Sequence, residues 1–279
     1  MMVAMKTILI PAEDHDAMPA VLETARRIAE IFDSYIEGFA VRPSVADYVG
    51  VEPFSSLAMS VHDNDAAREI QAAFETFMRE HHVPPAKSGP AVYSWGWPHA
   101  SAVDDGFIGS YGRVFDLIVL GRPGREPQNP RMLPLEAALF DSGRPVLIVP
   151  GTAAPTIGRN ILISWNGSTE QARTNAFAMP FLRRAEAVKV LTVEGGLTPG
   201  PTADEVVLEL QRHGIAATAH TVKQGTRTVG EATLDFAARE GCDLLVKGAY
   251  TQSRLRQMIF GGATRHILAA ATLPVLIAH

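Results

Sequence analysis

Between Lys247 and His279 the chain reads KGAYTQSRLRQMIFGGATRHILAAATLPVLIAH. An apolar run, Asp243 to Gly248, ends in a polar, partly basic loop. Gly261-Gly262-Ala263-Thr264 then opens a predicted helix that runs to Ala271, and Thr272-Leu273-Pro274 stops it. Val275 to Ala278 is a second apolar strand. The order is therefore strand, glycine loop, helix, strand. Such a loop leaves backbone N–H groups and the positive end of a helix dipole facing one point. This is an anion site by construction, with phosphate the usual anion. The competing explanation is that the glycines only permit a tight turn.

Other chemistry is sparse. Ser and His occur without a G-x-S-x-G elbow, and no G-x4-G-K-[S/T] phosphate loop is present. No H-x3-H, C-x2-C or carboxylate-rich loop gives a metal site. Cys242, just before an apolar run, reads as a small core residue rather than a nucleophile. His81-His82 ends a predicted helix, where cations suit the dipole.

The elements that position the loop recur. Thr7-Ile-Leu-Ile-Pro11 matches Asn160-Ile-Leu-Ile-Ser164. Phe115 to Gly121 matches Cys242 to Gly248, and Gly143 to Pro150 matches the segment from Leu273 onward. The order is kept, so the chain reads as a tandem duplication with a linker at 152–158. Domains are expected at 1–151 and 158–279. Strands are predicted at 6–11, 36–41, 90–94, 115–120 and 145–149, then at 160–165, 187–193, 216–222, 243–247 and 274–278. Helices are predicted at 16–33, 62–82, 99–112 and 133–141, then at 168–184, 202–213, 227–240 and 262–271. Strands alternating with helices of this length mean βαβ units and parallel sheets. Arg42 to Val61, without helical or strand period, is an insertion that reads as a connector or as a lid.

Gly248, two residues, Thr251, nine residues, Gly261-Gly262 resembles the G-x2-G-x9-G-[S/T] loop of the universal stress protein family. In that family the loop cradles the ribose and phosphates of ATP in the members that bind it. Thr251 stands at the second glycine and Gly262 at the Ser/Thr position, and Thr264 is the hydroxyl that would replace the missing one. The resemblance covers nearly the whole chain, twice. It implies an α/β fold of two tandem doubly wound five-stranded parallel sheets, adenine nucleotide α-hydrolase-like. Each has strand order 3-2-1-4-5, and the two pack about a pseudo-two-fold axis where the last strands, 146–149 and 275–278, meet.

Ligands of such sheets bind past the carboxyl ends of the strands where the winding reverses. The resemblance places Asn166 at the position that meets adenine or ribose, and Val193 at the one whose backbone meets adenine. Gly248, Thr251, Gly261, Gly262, Ala263 and Thr264 would form the phosphate loop. Trp165 either stacks on a base or caps the sheet. The first half departs further: after Gly121-Arg122-Pro123-Gly124 stand Pro134-Leu135 in place of Gly-[S/T]. Pro134 has no N–H to offer. Glu13 and Asp14 follow the first strand, and Arg122, Arg125 and Arg131 read as a solvated basic loop. The first half is expected to be a degenerate copy.

The expected function is binding of ATP, with or without Mg2+, in the second half, serving a stress response through an unidentified protein partner. Hydrolysis would at most be slow, because no arginine finger or activated water is evident. The rivals are a scaffold that binds no nucleotide, a small-ligand or lipid binder and a hydrolase. Net charge of −5 and a pI near 6.0 give no footprint for nucleic acid. Hydrophobic content of 47% over 279 residues suffices for full cores. The single cysteine fits a reducing compartment. The N-terminus, with one Lys and a short apolar run, does not read as a signal peptide. A cytoplasmic protein without a membrane span is expected, either a monomer with an internal pseudo-dimer or a homodimer.

Overall fold

The computed structural model describes residues 5–42, 56–90, 92–124, 126, 128–249 and 262–279. These fall into two compact units, Met5–Arg144 and Pro145–His279.

In the first unit β1 (Thr7–Ala12) is followed by α1 (Met18–Phe32), β2 (Tyr35–Ala40) and α2 (Ser56–Glu80). Then come β3 (Ser94–Gly96), α3 (Asp105–Tyr111), β4 (Leu117–Gly121) and α4 (Met132–Asp141). The strand order within this unit is β3-β2-β1-β4, all parallel. The strands are continuous apolar runs because both faces are covered; Ile8, Leu9 and Ile10 are fully buried. α1 buries Val21, Ala25, Ile28 and Ala29, the spacing that puts one helical stripe against a sheet. It ends at Asp33, which adopts the left-handed conformation and returns its N–H to the Ala29 carbonyl.

The helix expected at 99–112 starts later, at Asp105. Asp104 is its cap, accepting from the Phe107 N–H at 3.1 Å, and Val103 is tied to Val41 in a parallel bridge. The strand expected at 90–94 is Ser94–Gly96. The Asp33 carboxylate takes the Tyr93 N–H at 2.8 Å, so pairing begins at Tyr35 with Ser94.

In the second unit β5 (Val146–Val149), β6 (Asn160–Ser164), α5 (Thr169–Leu182), β7 (Ala187–Val193) and α6 (Ala203–Arg212) come first. β8 (Ala217–Val222), α7 (Val229–Arg239), β9 (Leu244–Gly248), α8 (Gly262–Ala270) and β10 (Val275–Ala278) follow. The order is β5-β10-β9-β6-β7-β8. From β10 to β8 this is 5-4-1-2-3, and every pair is parallel. β5 runs antiparallel to β10, with Leu147 opposite Leu276. It thus belongs spatially to the second unit although it closes the first sequence repeat. All four residues of each strand are buried, and an edge so apolar needs a partner.

The helix starts follow their caps. Ser168 accepts from the Gln171 N–H at 3.2 Å. Thr202 with Glu205 and Thr228 with Glu231 form capping boxes.

Candidate functional site

In the second unit the winding reverses between β6 and β9, which pair directly at Ile163 and Val246. This is the edge where an open parallel sheet takes its ligands. Asn166 follows β6, Val193 ends β7 and Gly248 ends β9, so all three lie at this carboxyl edge. α8 returns to β10, which is parallel to β9; its first residues, Gly262, Ala263 and Thr264, therefore stand at the same edge. Thr251 and Gly261 lie outside the described residues.

The side chains are more engaged than their sequence positions suggest. Asn166 Oδ1 accepts from the Ser168 N–H at 3.2 Å, and its carbonyl accepts from the Thr198 N–H and hydroxyl, both at 2.9 Å. Gly167, at φ +81°, lets this turn lie against Thr198. No partner is recorded for Asn166 Nδ2 among the described residues, and it remains a donor. The Val193 carbonyl accepts from the Gly196 N–H at 3.2 Å. Of the two readings of Trp165, the structure favours the cap: the ring is buried and its Nε1 donates to the Pro201 carbonyl at 2.8 Å.

Gly248 has a packing role. A Cβ there would lie 2.5 Å from the Gln171 backbone nitrogen, so the glycine admits the first turn of α5. The Gly248 N–H donates to Gln171 Oε1 at 2.7 Å, and fully buried Gln171 also bonds Asn175 at 2.9 Å. Gly262 has ordinary φ, is exposed, and has open space around an added Cβ. Thr264 is buried. α7 abuts the start of α8 through Gly230, whose Cβ would meet the Ala263 carbonyl at 2.8 Å.

Lys247 was not among the residues marked by the loop pattern, although a lysine closing an apolar strand is itself a signal. It is buried, its Nζ donates to the Gly248 carbonyl at 3.0 Å, and burial brings its ammonium pKa down to about 8, against a smaller opposing pull from Glu170.

In the first unit, Arg131 proves not to be a solvated loop charge. Its Nε donates to Glu13 Oε1 at 2.5 Å, and its two terminal nitrogens reach the Asp105 carboxylate at 2.8 and 2.9 Å. Both carboxylates are nine-tenths buried. Burial holds the Glu13 carboxyl above its ordinary range in spite of Arg131. Gly121 and Gly124 are closely packed on Pro130 and Asn129. Arg125 lies outside the described residues. Beside Glu13 a cavity of about 440 Å³ opens between α1 and α2, lined by Met18, Leu22, Phe74 and Phe77 among others.

The second sequence repeat has a match of its own: the model described as Universal stress protein family covers residues 159–279. No curated protein matches the chain by sequence. Among solved structures it is similar to a universal stress protein from Archaeoglobus fulgidus DSM 4304, at 16% identity over 98% of this chain and 97% of that one, with a TM-score of 0.73. It is also similar to a candidate universal stress protein from Pseudomonas aeruginosa UCBPP-PA14, at 17% identity over 99% and 93%, TM-score 0.57. A functionally unknown protein from Pseudomonas aeruginosa PAO1 gives 16% identity over 99% and 92%, TM-score 0.56. At these identities the likeness shows the fold, an α/β architecture with a mostly parallel sheet. Residues 159–279 thus match the universal stress protein family model, and the whole length shares the fold of these solved structures.

Proposed function

We propose that the second unit binds an adenine nucleotide, ATP with or without Mg2+, at the carboxyl edge of β6 and β9. One observation carries this reading: Asn166, Gly248 and the start of α8 are gathered at the reversal point of the sheet, inside the segment that matches the family. The donors suit a phosphate-bearing group. α8 presents its N-terminus with no acidic residue in its first turn, Lys247 adds positive charge beside Gly248, and Asn166 Nδ2 is available to a base or ribose. These residues bind and orient; any hydrolysis would be slow. The protein would act in the cytoplasm, in a stress response, by presenting nucleotide-dependent contacts to a protein partner. Among the described residues no helix is long and apolar enough to cross a membrane.

The second reading is a scaffold without nucleotide. Its support is that the oxygens of Asn166, the carbonyl of Val193 and the N–H of Gly248 all have partners within the protein. Calorimetric titration of stripped protein with ATP, with and without Mg2+, separates the two. The nucleotide reading expects one site per chain, at about micromolar Kd, and about tenfold weaker binding in Thr264→Ala. No heat and no thermal stabilisation at about millimolar ATP would leave the scaffold reading.

A further inference from the structure

We propose that the cavity at the carboxyl end of β1 binds a small organic ammonium ion with an apolar, aromatic-sized body. The ammonium would sit at Glu13 and Asp14, and the body against Met18, Leu22, Phe74 and Phe77. This site lies within the first unit and is independent of the nucleotide reading.

Size and walls come first. At about 440 Å³ the cavity falls in the range of small-molecule sites, roughly 300–1,000 Å³. α1 and α2 supply aliphatic and aromatic walls, which gain from covering an apolar body.

Charge then selects the head group. The charged side chains lining this cavity are Glu13, Asp14 and Glu69, with no lysine or arginine among its described lining residues. Glu13 is held rigidly, because Arg131 grips its Oε1 and is itself gripped by Asp105. No partner is recorded for Glu13 Oε2 among the described residues. One arginine between two nine-tenths buried carboxylates leaves a net negative charge. Burial is the main reason Glu13 resists ionising, the Asp105 charge a smaller one, and a bound cation would favour the ionised form. His15 adds no positive charge, since burial lowers its pKa, and its buried Nδ1 has no partner among the described residues. The start of α1 contributes about half a positive charge, which does not offset three carboxylates. A carboxylate ligand of the same body would be repelled.

The test titrates the full chain at pH 7 with 2-phenylethylamine and, separately, with 3-phenylpropionate. The amine is expected to bind with a Kd below about 1 mM, and the acid at least about tenfold more weakly. Glu13→Gln should weaken amine binding about tenfold. Ala73→Trp, on an exposed position of α2 that lines the cavity, should abolish it by filling the space. Thr264→Ala should leave it unchanged. If Glu13→Gln does not fold, Ala73→Trp carries the test. Equal binding of amine and acid, no binding up to about 10 mM amine, or unchanged binding in Ala73→Trp would each overturn the proposal.

Discussion

At the scale of single residues the two units handle buried charge in opposite ways. Lys247 is a buried ammonium whose recorded hydrogen bond is to the neighbouring Gly248 carbonyl. Its pKa falls from an ordinary 10.5 to about 8 on folding. The unfolded chain then holds this proton more tightly than the folded one. Lys247 therefore opposes folding fully below about pH 8, and the opposition fades as the pH rises from 8 towards 10.5. A displacement of that size corresponds to about 3 kcal/mol. Lys247→Met should stabilise the protein at pH 7 by about 1–3 kcal/mol, and urea melts should show the gain shrinking between pH 8 and 10.5. A gain that stays constant with pH would mean the charge is not the cause. Arg131 is the converse case, a cation that two buried carboxylates require. Arg131→Met should cost about 3–5 kcal/mol at pH 7. Glu13 already binds its proton more tightly when folded than its ordinary 4.5 would give, so its ionisation opposes folding above its folded pKa. Without Arg131 that opposition grows, and the deficit should narrow as the pH is lowered from 7 towards 4.5. Charge type and position were legible in the sequence for both residues. Partnership was not, because Glu13 and Asp105 lie 118 and 26 positions from Arg131, and a run of arginines looks the same solvated or paired.

At the scale of elements most of the fold was legible, since apolar runs and helical stripes are local properties. β7 stands at 187–193 and α8 begins at 262, as the periodicity gives. Two of the elements that shifted are decided by a distant partner, β3 by its register with β2 and α3 by the bridge that holds Val103 to Val41. α2 also differs, starting at Ser56 rather than 62, inside the 42–61 stretch that carries no helical period in the sequence. The glycine loop was legible as a pattern, but the pattern does not tell binding from packing. Gly248 illustrates this, because its missing Cβ makes room for the backbone of α5 at Gln171. Gly248→Ala should lower stability by about 1–3 kcal/mol through overpacking, whether or not nucleotide is present. Gln171→Leu should lower it by a similar amount, because the buried Gly248 N–H loses its acceptor. Thermal melts of both variants without ligand check this. If both melted like the parent protein, the glycine would have to be explained by a ligand after all. A loss of ATP affinity in Gly248→Ala alone would therefore say little about phosphate contacts, and Thr264→Ala is the more informative probe.

At the scale of the whole molecule, sequence repeat and spatial unit do not share a boundary. The repeat ends with Val146–Val149, yet that strand lies antiparallel beside β10, in register from Ile148–Val275 to Val146–Ile277. The likeness of these two strands was visible in the sequence. Their pairing could be expected only from the family resemblance, because nothing local states which edge an apolar strand will cover. A consequence follows for the segment that matches the family model. Residues 159–279 retain β6 to β10 but lack β5, so β10 becomes an open edge of four buried-type residues with unpaired N–H and C=O groups. Such an edge pairs with another chain, and the antiparallel geometry already adopted with β5 is one that two copies of β10 can reproduce about a two-fold axis. The isolated 159–279 fragment should therefore sediment as a dimer at micromolar concentration. Ile277→Pro, which removes an N–H from that edge and cannot extend a central strand, should weaken the association. Analytical ultracentrifugation reads both. A folded fragment that sediments as a monomer would show that β10 tolerates exposure, and that its pairing with β5 is not what the apolar edge requires.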